Sequence, residues 1–213
     1  MTDFLLHEID ATGLLSSRPS RAPNWQREAE ALSTLAEVFA NTPQKLAQTL
    51  ADTALALTGA QAAGISLEET DSTPQIFRWV ATAGTYSCYL NGTMPRDFSP
   101  CGEVVRRNSA VLMRHMSKLY EYVSQLHEPP HEVLLVPFQH RGTPVGTVWV
   151  VSHDDQRGFD GEDLRVVQNL TRFAGAAVES VDLVKQLTEL DARKDRFMAL
   201  LAHEMRTPFR PSA

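Results

Sequence analysis

The stretch LLAHEMRTPFR, Leu200 to Arg210, sets a histidine beside a glutamate, with a threonine and a proline one turn later. An imidazole near pKa 6.5 is mostly neutral, and therefore nucleophilic, at physiological pH. Glu204 follows His203 directly and can accept the proton on the other ring nitrogen, which fixes the tautomer. Pro208 brings no backbone N–H, so it loosens the helix just past the histidine. A lone His–Glu pair is common on solvated helix faces and defines no site by itself. The other reactive side chains are two thiols, Cys88 and Cys101, whose separation fits neither a zinc site nor a disulfide framework. Cys101 follows Ser99–Pro100, a helix-start signal. Free N–H groups at a helix start stabilise a thiolate, so Cys101 is expected to alkylate faster than Cys88.

The element that presents His203 is long. No glycine or proline interrupts Ala176 to Thr207, and Asp160 is placed as the N-cap of the run that begins FDGEDLRVVQNL. Leu183, Leu187, Leu190, Lys194, Phe197 and Leu201 alternate spacings of four and three, a heptad seam. The expected partner for that seam is its own copy, in a parallel homodimer, with His203 off the seam and facing solvent. Upstream, Trp25 to Phe39 has helical periodicity. Thr42–Pro43 restarts a helix with the stripe Leu46, Leu50, Ala54, Leu57, which Gly59 closes. AAGISLEE, QIFRWVATAG, EVLLVPF and GTVWVVSH read as strands, the last two joined through a bend at Gly142. A further helix starts at Ser99–Pro100, before a strand at Ala110 to Met113. The fold class is α+β, one central antiparallel sheet flanked by helices, with a long C-terminal helix. The Ser/Pro/Arg-rich opening, 1–23, reads as a flexible arm.

Whole-chain quantities narrow the function classes. With 213 residues and 43% hydrophobic content, the chain can build one domain of ordinary size plus appended segments. A net charge of −6 argues against nucleic acid as a partner. No apolar run approaches the roughly 20 residues that span a bilayer, and residues 1–10 lack the pattern of a secretion signal. The expected location is the cytoplasm, where both thiols stay reduced.

The string KDRFMALLAHEMRTP, Lys194 to Pro208, resembles the H-box of sensor histidine kinases, an apolar helical run ending in H-E-[LM]-R-[TN]-P. The resemblance implies that His203 is the phosphoacceptor, that Glu204 orients it and takes its proton, and that Thr207 places a water for dephosphorylation. ATP and magnesium are expected only in a catalytic domain absent from these residues, since no glycine-rich phosphate loop occurs. A response regulator is the expected partner of the whole kinase. Residues 24–181 resemble a GAF domain, a small-molecule sensor fold, on the helix pair, AAGISL, GTMPRDFSPCGEVVRRN and LLVPFQHRGTPVGTVWVVSHD. No histidine directly follows either cysteine, where a bilin-attaching site of the phytochrome branch would have one. Residues 182–213 would then be the signalling helix and a truncated phosphoacceptor segment. A GAF-like domain implies a ligand between the sheet and the helices and loops on one face. Tyr89, Phe98, Ser99, Cys101, His115 and Trp149 are the candidates for it, drawn from a wider set including Trp79, Tyr86, Cys88, Tyr120, Tyr122 and His127. The sensed ligand is not legible, and no metal set is indicated. The alternatives are a stand-alone GAF regulator without kinase chemistry and a thiol enzyme using Cys88 and Cys101.

Overall fold

The computed structural model describes residues 2–204, apart from some side chains near its two ends. Two short helices, α1 (Thr2–Ile9) and α2 (Leu14–Ser17), precede α3 (Trp25–Asn41). The Asn24 side chain caps α3, accepting from the Arg27 N–H at 3.1 Å. Thr42, expected as the next N-cap, makes no capping bond: Pro43–Lys45 forms a 3-10 turn, and α4 runs Leu46–Thr58. Gly59 ends α4 in the left-handed region at φ +62°, as its type and place predict. Then come β1 (Ala62–Glu69), β2 (Ile76–Gly84), β3 (Thr93–Pro95), α5 (Pro100–Arg107), β4 (Val111–Arg114), β5 (Glu132–His140), β6 (Thr143–Ser152) and α6 (Gly161–Glu204).

The six strands form one antiparallel sheet in the order β3-β2-β1-β6-β5-β4. The β5–β6 turn is Arg141–Gly142, both with positive φ, the geometry whose twist suits a two-residue hairpin. Strand residues alternate between faces, so the sheet feeds two separate cores. On one face Ala63, Ile65, Leu134, Val136, Val148 and Val150 pack with Leu50 and Ala54 of α4 and with Val167 and Leu170 of α6. On the other face Phe77, Val133, Leu135, Trp149 and Val151 pack with Cys101 and Val104 of α5 and with Met116, Tyr120 and Val123 between β4 and β5. The antiparallel sheet with flanking helices is the expected α+β architecture.

The opening segment departs from expectation. Rather than a mobile arm, it is held on the domain. Ile9 and Leu15 are buried, Asp10 bridges to Met113, and the Ala11 N–H donates to Leu112 O at 2.8 Å. Arg18 donates to both carboxylate oxygens of Glu132, at 2.9 and 2.6 Å, and to Phe159 O at 2.8 Å. Arg21 Nη2 donates to Asp163 at 2.8 Å. Composition made these arginines look solvated. In the fold they are the counter-charges of two carboxylates buried at the starts of β5 and α6.

Helix α6 opens with a reciprocal cap. Asp160 Oδ1 accepts from the Glu162 and Asp163 N–H groups, and Asp163 Oδ2 accepts from the Asp160 N–H. Its 44 residues give a length of about 66 Å. Val166, Val167, Leu170, Ala174 and Ala177 are buried on the sheet side. Farther along, Leu183, Leu190, Phe197 and Met198 are all about half exposed or more. Backbone helix continues through His203 and Glu204. Their side chains, those of Leu187 and Leu201, and all of Thr207 and Pro208 lie outside the described residues. No described helix is long and apolar enough to cross a membrane.

Candidate ligand pocket

The second face of the sheet lines a partly open cavity of about 180 Å3. Its floor is strand. Val133 and Leu135 of β5 pair with Val151 and Trp149 of β6, all projecting from one face. Trp149 can lie across β1 because its neighbour there is Gly64: a Cβ at that position would sit 2.3 Å from Trp149 Cζ2 and 2.5 Å from Ala81 O. The Trp149 indole N–H donates to Ser66 Oγ at 2.9 Å, which fixes the ring.

One wall is aromatic. Trp79 of β2 stacks on Tyr86 at 6.1 Å between centroids and 7° between planes. Tyr89 meets both edge-on, at 5.9 and 5.5 Å, and Trp149 lies 5.3 Å from Trp79. The chain folds back here because the Trp79 N–H donates to Gly92 O and Trp79 O accepts from the Asn91 N–H, with Asn91 at φ +66°. The segment between β4 and β5 roofs the cavity with Met116, Val123 and Leu126. Two phenols hold this roof: Tyr86 donates to Glu128 O at 2.7 Å, and the Tyr89 hydroxyl accepts from the His127 N–H at 2.7 Å.

The lining is electrically neutral. None of the side chains facing the cavity is Asp, Glu, Lys, Arg or His. Burial, with Tyr89 and Glu128 adding to it, pushes the Tyr86 phenol far above its ordinary value, and burial does the same for Tyr122. The Cys101 thiol is also raised by burial, although hydrogen bonds with Ser66 and Thr147 oppose the shift. One polar atom is unsatisfied: the Trp79 indole N–H is buried without a partner.

Of the residues singled out for ligand binding, Tyr89, Cys101 and Trp149 line this cavity. Phe98 and Ser99 do not. Phe98 packs on Tyr120 at 5.3 Å beside a separate depression, and Ser99 Oγ caps α5 by accepting from the Gly102 N–H at 3.1 Å. His115 is exposed in a left-handed turn, 5.7 Å from His131, its pKa lowered by slight desolvation and by the nearby Arg114. The cavity also uses Met94, Val133, Leu135 and Val151, which periodicity alone marks as ordinary core. Their only sequence signal is that alternate residues of β5 and β6 share a face with Trp149. Among the described residues no group of three or more His, Cys, Asp or Glu is placed to hold a metal ion.

The expected order of thiol reactivity is reversed. Cys101 does sit at the start of α5, but it is buried and its Sγ accepts from Thr147 Oγ1 at 3.2 Å, while Cys88 is exposed. Burial outweighs the helix start because the thiolate would have to form without water. Timed alkylation with mass detection at neutral pH is therefore expected to modify Cys88 first. Cys101 should lag by on the order of 100-fold or more, since it must wait for local opening. Equal rates would show that the cavity opens freely. The pair is divided between surface and core, and a joint thiol chemistry gains nothing from this placement.

The family model for the GAF domain matches residues 40–179. No curated relative matches the chain. Solved structures show the same fold at low identity. The photosensory core module of a Stigmatella aurantiaca phytochrome aligns at 16% identity, TM-score 0.65, over 91% of this chain and 44% of that one. The GAF domain of a phosphoenolpyruvate-protein phosphotransferase from Coxiella burnetii aligns at 14%, TM-score 0.62, over 76% and 99%. A free methionine-R-sulfoxide reductase from Neisseria meningitidis, solved with its substrate, aligns at 17%, TM-score 0.61, over 78% and 97%.

Proposed function

This chain belongs to the GAF-domain family, and from that premise we propose that it is the sensory input part of a bacterial two-component histidine kinase. A small molecule held in the cavity would control phosphorylation of His203. The observation that carries this reading is the course of α6: one unbroken helix packs its first turns on the sheet and reaches His203 at its far end. Strand β6 links the two, since Trp149 lines the cavity while the adjacent Val150 packs in the core that α6 shares. A ligand that shifts β6 therefore presses on the base of α6, and packed elements convey such shifts because interiors are close-packed. ATP and magnesium would be supplied by a catalytic domain, a response regulator would receive the phosphate, and the compartment would be the cytoplasm.

Signalling between two copies follows from the exposed side of α6. Leu183, Leu190 and Phe197 are 49%, 59% and 60% exposed, and burying them against a second copy would remove that apolar surface from water. Sedimentation is expected to show a dimer at tens of micromolar, a concentration above the Kd of even a modest interface of about −7 kcal/mol. Leu190→Glu with Phe197→Glu should give folded monomers. A parent chain that is monomeric under the same conditions would remove the paired helix from the reading.

The experiment for the whole reading is phosphotransfer. Joined after Pro208 to the dimerisation hairpin and ATP domain of a histidine kinase, the chain is expected to accept phosphate from ATP. A joined chain that dimerises and never takes up label overturns the reading.

A further inference from the structure

Resting on the proposed pairing of α6, we infer that the outward face of α3 is a contact surface for a second copy of this chain, so that the two sensor domains touch as well as the two signalling helices. Helix α3 carries two apolar stripes. Ala31, Leu35 and Val38 pack on the first core, with Leu35 fully buried. Beside them Trp25, Ala29, Leu32, Ala36 and Phe39 recur at spacings of four, three, four and three, and all but the half-buried Leu32 are exposed. A helix that covers only its own core needs a single apolar stripe, roughly 100° wide. The second stripe of α3 is left largely facing water.

The place of that stripe identifies its occupant. Arg165 of α6 donates to both carboxylate oxygens of Glu28, at 3.1 and 2.5 Å, and its guanidinium lies 4.4 Å from the centroid of the Trp25 ring. The Pro43–Lys45 turn that follows α3 packs on α6 as well, so both ends of α3 sit along that helix. The seam of α6 leads to the same flank. Its spacing carried back from Leu183 falls on Ser180, Ala176, Phe173 and Asn169, and the Asn169 amide donates to Glu28 of α3 at 3.0 Å. The seam therefore runs down α6 to the side of α3, where the bare stripe continues it. Both stripes have the 4-3 spacing that packs against a parallel copy of itself. A two-fold axis along α6 would join α3 and α6 of each copy in a four-helix bundle.

Area favours the same occupant. Trp25 is 62% and Phe39 43% exposed, which for aromatic side chains leaves about 150–250 Å2 to be covered on each copy. That is about a quarter of the roughly 800 Å2 per partner in a stable interface, added to what the α6 seam buries. Between the two rings, Ala29 and Ala36 have no side chain beyond Cβ, so a second helix can approach to the usual spacing of about 8–10 Å. Helix α4 packs on α3, on α6 and on β1 and β2, so a displacement of the sheet reaches this contact and the base of α6 together.

Sedimentation equilibrium tests the contact with Ala29→Glu and Ala36→Glu combined. Both positions are exposed in the single chain, and glutamate is a good helix former. The parent is expected to dimerise. The double variant should dimerise at least about tenfold more weakly, with an unchanged circular dichroism spectrum, because the bundle would have to bury its new carboxylates. Trp25 supplies a second readout. Iodide quenching of its fluorescence should fall as the parent dimerises and stay high in the monomer made by Leu190→Glu with Phe197→Glu. A dimer constant unchanged within about twofold by the two α3 substitutions would overturn the assignment, as would a Trp25 equally open to iodide in dimer and monomer. If either result comes while Leu190→Glu with Phe197→Glu still gives monomers, the α3 contact falls and the pairing of α6 stands. A parent that stays monomeric at tens of micromolar overturns both. A dimer weakened by the α3 substitutions, beside a joined chain that never labels, keeps the α3 contact and overturns the kinase reading.

Discussion

Glu132→Ala is expected to destabilise the domain by about 3–5 kcal/mol, the range for removing one partner of a buried ion pair. Glu132 is 1% exposed at the first residue of β5. Both its oxygens accept from Arg18, Oε2 also accepts from the Phe159 N–H at 3.0 Å, and Arg114 Nε lies 3.3 Å from Oε1. Alanine would leave the Arg18 charge without its carboxylate, with Phe159 O as its remaining acceptor, would leave the Phe159 N–H unpaired, and would loosen the opening segment from the sheet. The dependence on pH has a definite sign. Burial alone would raise the Glu132 pKa, but Arg18, the Phe159 N–H and Arg114 together outweigh it and hold the carboxyl below its ordinary value. A carboxylate depressed in the folded state contributes stability above its unfolded pKa and loses it as pH falls through the folded one. Urea unfolding should therefore show the full difference at pH 7 and a smaller one in acid. A difference below about 1 kcal/mol at pH 7 would mean that the pair behaves as a surface contact, and that the Arg18 clamp does not hold the opening segment.

In the joined kinase, His203→Gln is expected to remove all label from ATP with little loss of folding stability. The residue lies on the last described turn of α6, far along the chain from the buried stripe that ends near Ala177. Glutamine keeps helix propensity close to that of histidine, so the fold has no reason to change. The phosphorylated product would be a phosphoramidate, lost in acid and kept in base. Glu204→Ala should slow labelling by on the order of 100-fold, because on the proposed reading Glu204 accepts the imidazole proton. Label that survives His203→Gln would place the acceptor elsewhere and end the phosphoacceptor assignment.

Much of the scaffold was legible because its signals are local. Asp160 begins α6, Ser99 and Pro100 begin α5, Gly59 ends α4, and Gly142 turns β5 into β6, each through a backbone requirement met within a few residues. The alternation of Val133, Leu135, Trp149 and Val151 was also present as a pattern. The pattern says that these residues share a face, not that the face is left partly uncovered. Whether an apolar strand residue meets another side chain or a cavity depends on what α5 and the β4–β5 segment place over it, and those contacts join residues far apart in the chain.

The same division explains the corrections. Ser/Pro/Arg composition reads as a solvated arm, yet Arg18 and Arg21 find Glu132 and Asp163 more than a hundred residues away. The start of a helix favours a thiolate, yet Thr147 and the sheet bury Cys101 and reverse its expected reactivity. By itself the amino-acid sequence marked α3 to α6, five of the six strands, most of their caps and turns, and a His203–Glu204 pair at the end of a long helix. Only the tertiary structure decided that the opening segment is clamped, which aromatic rings wall the cavity, and which buried polar atoms, Trp79 Nε1 among them, have no hydrogen-bond partner. Caps and periodicity are short-range and act within a turn or a strand. Burial, desolvation and charge pairing depend on the whole packed neighbourhood, and a neighbourhood exists only once the chain has folded.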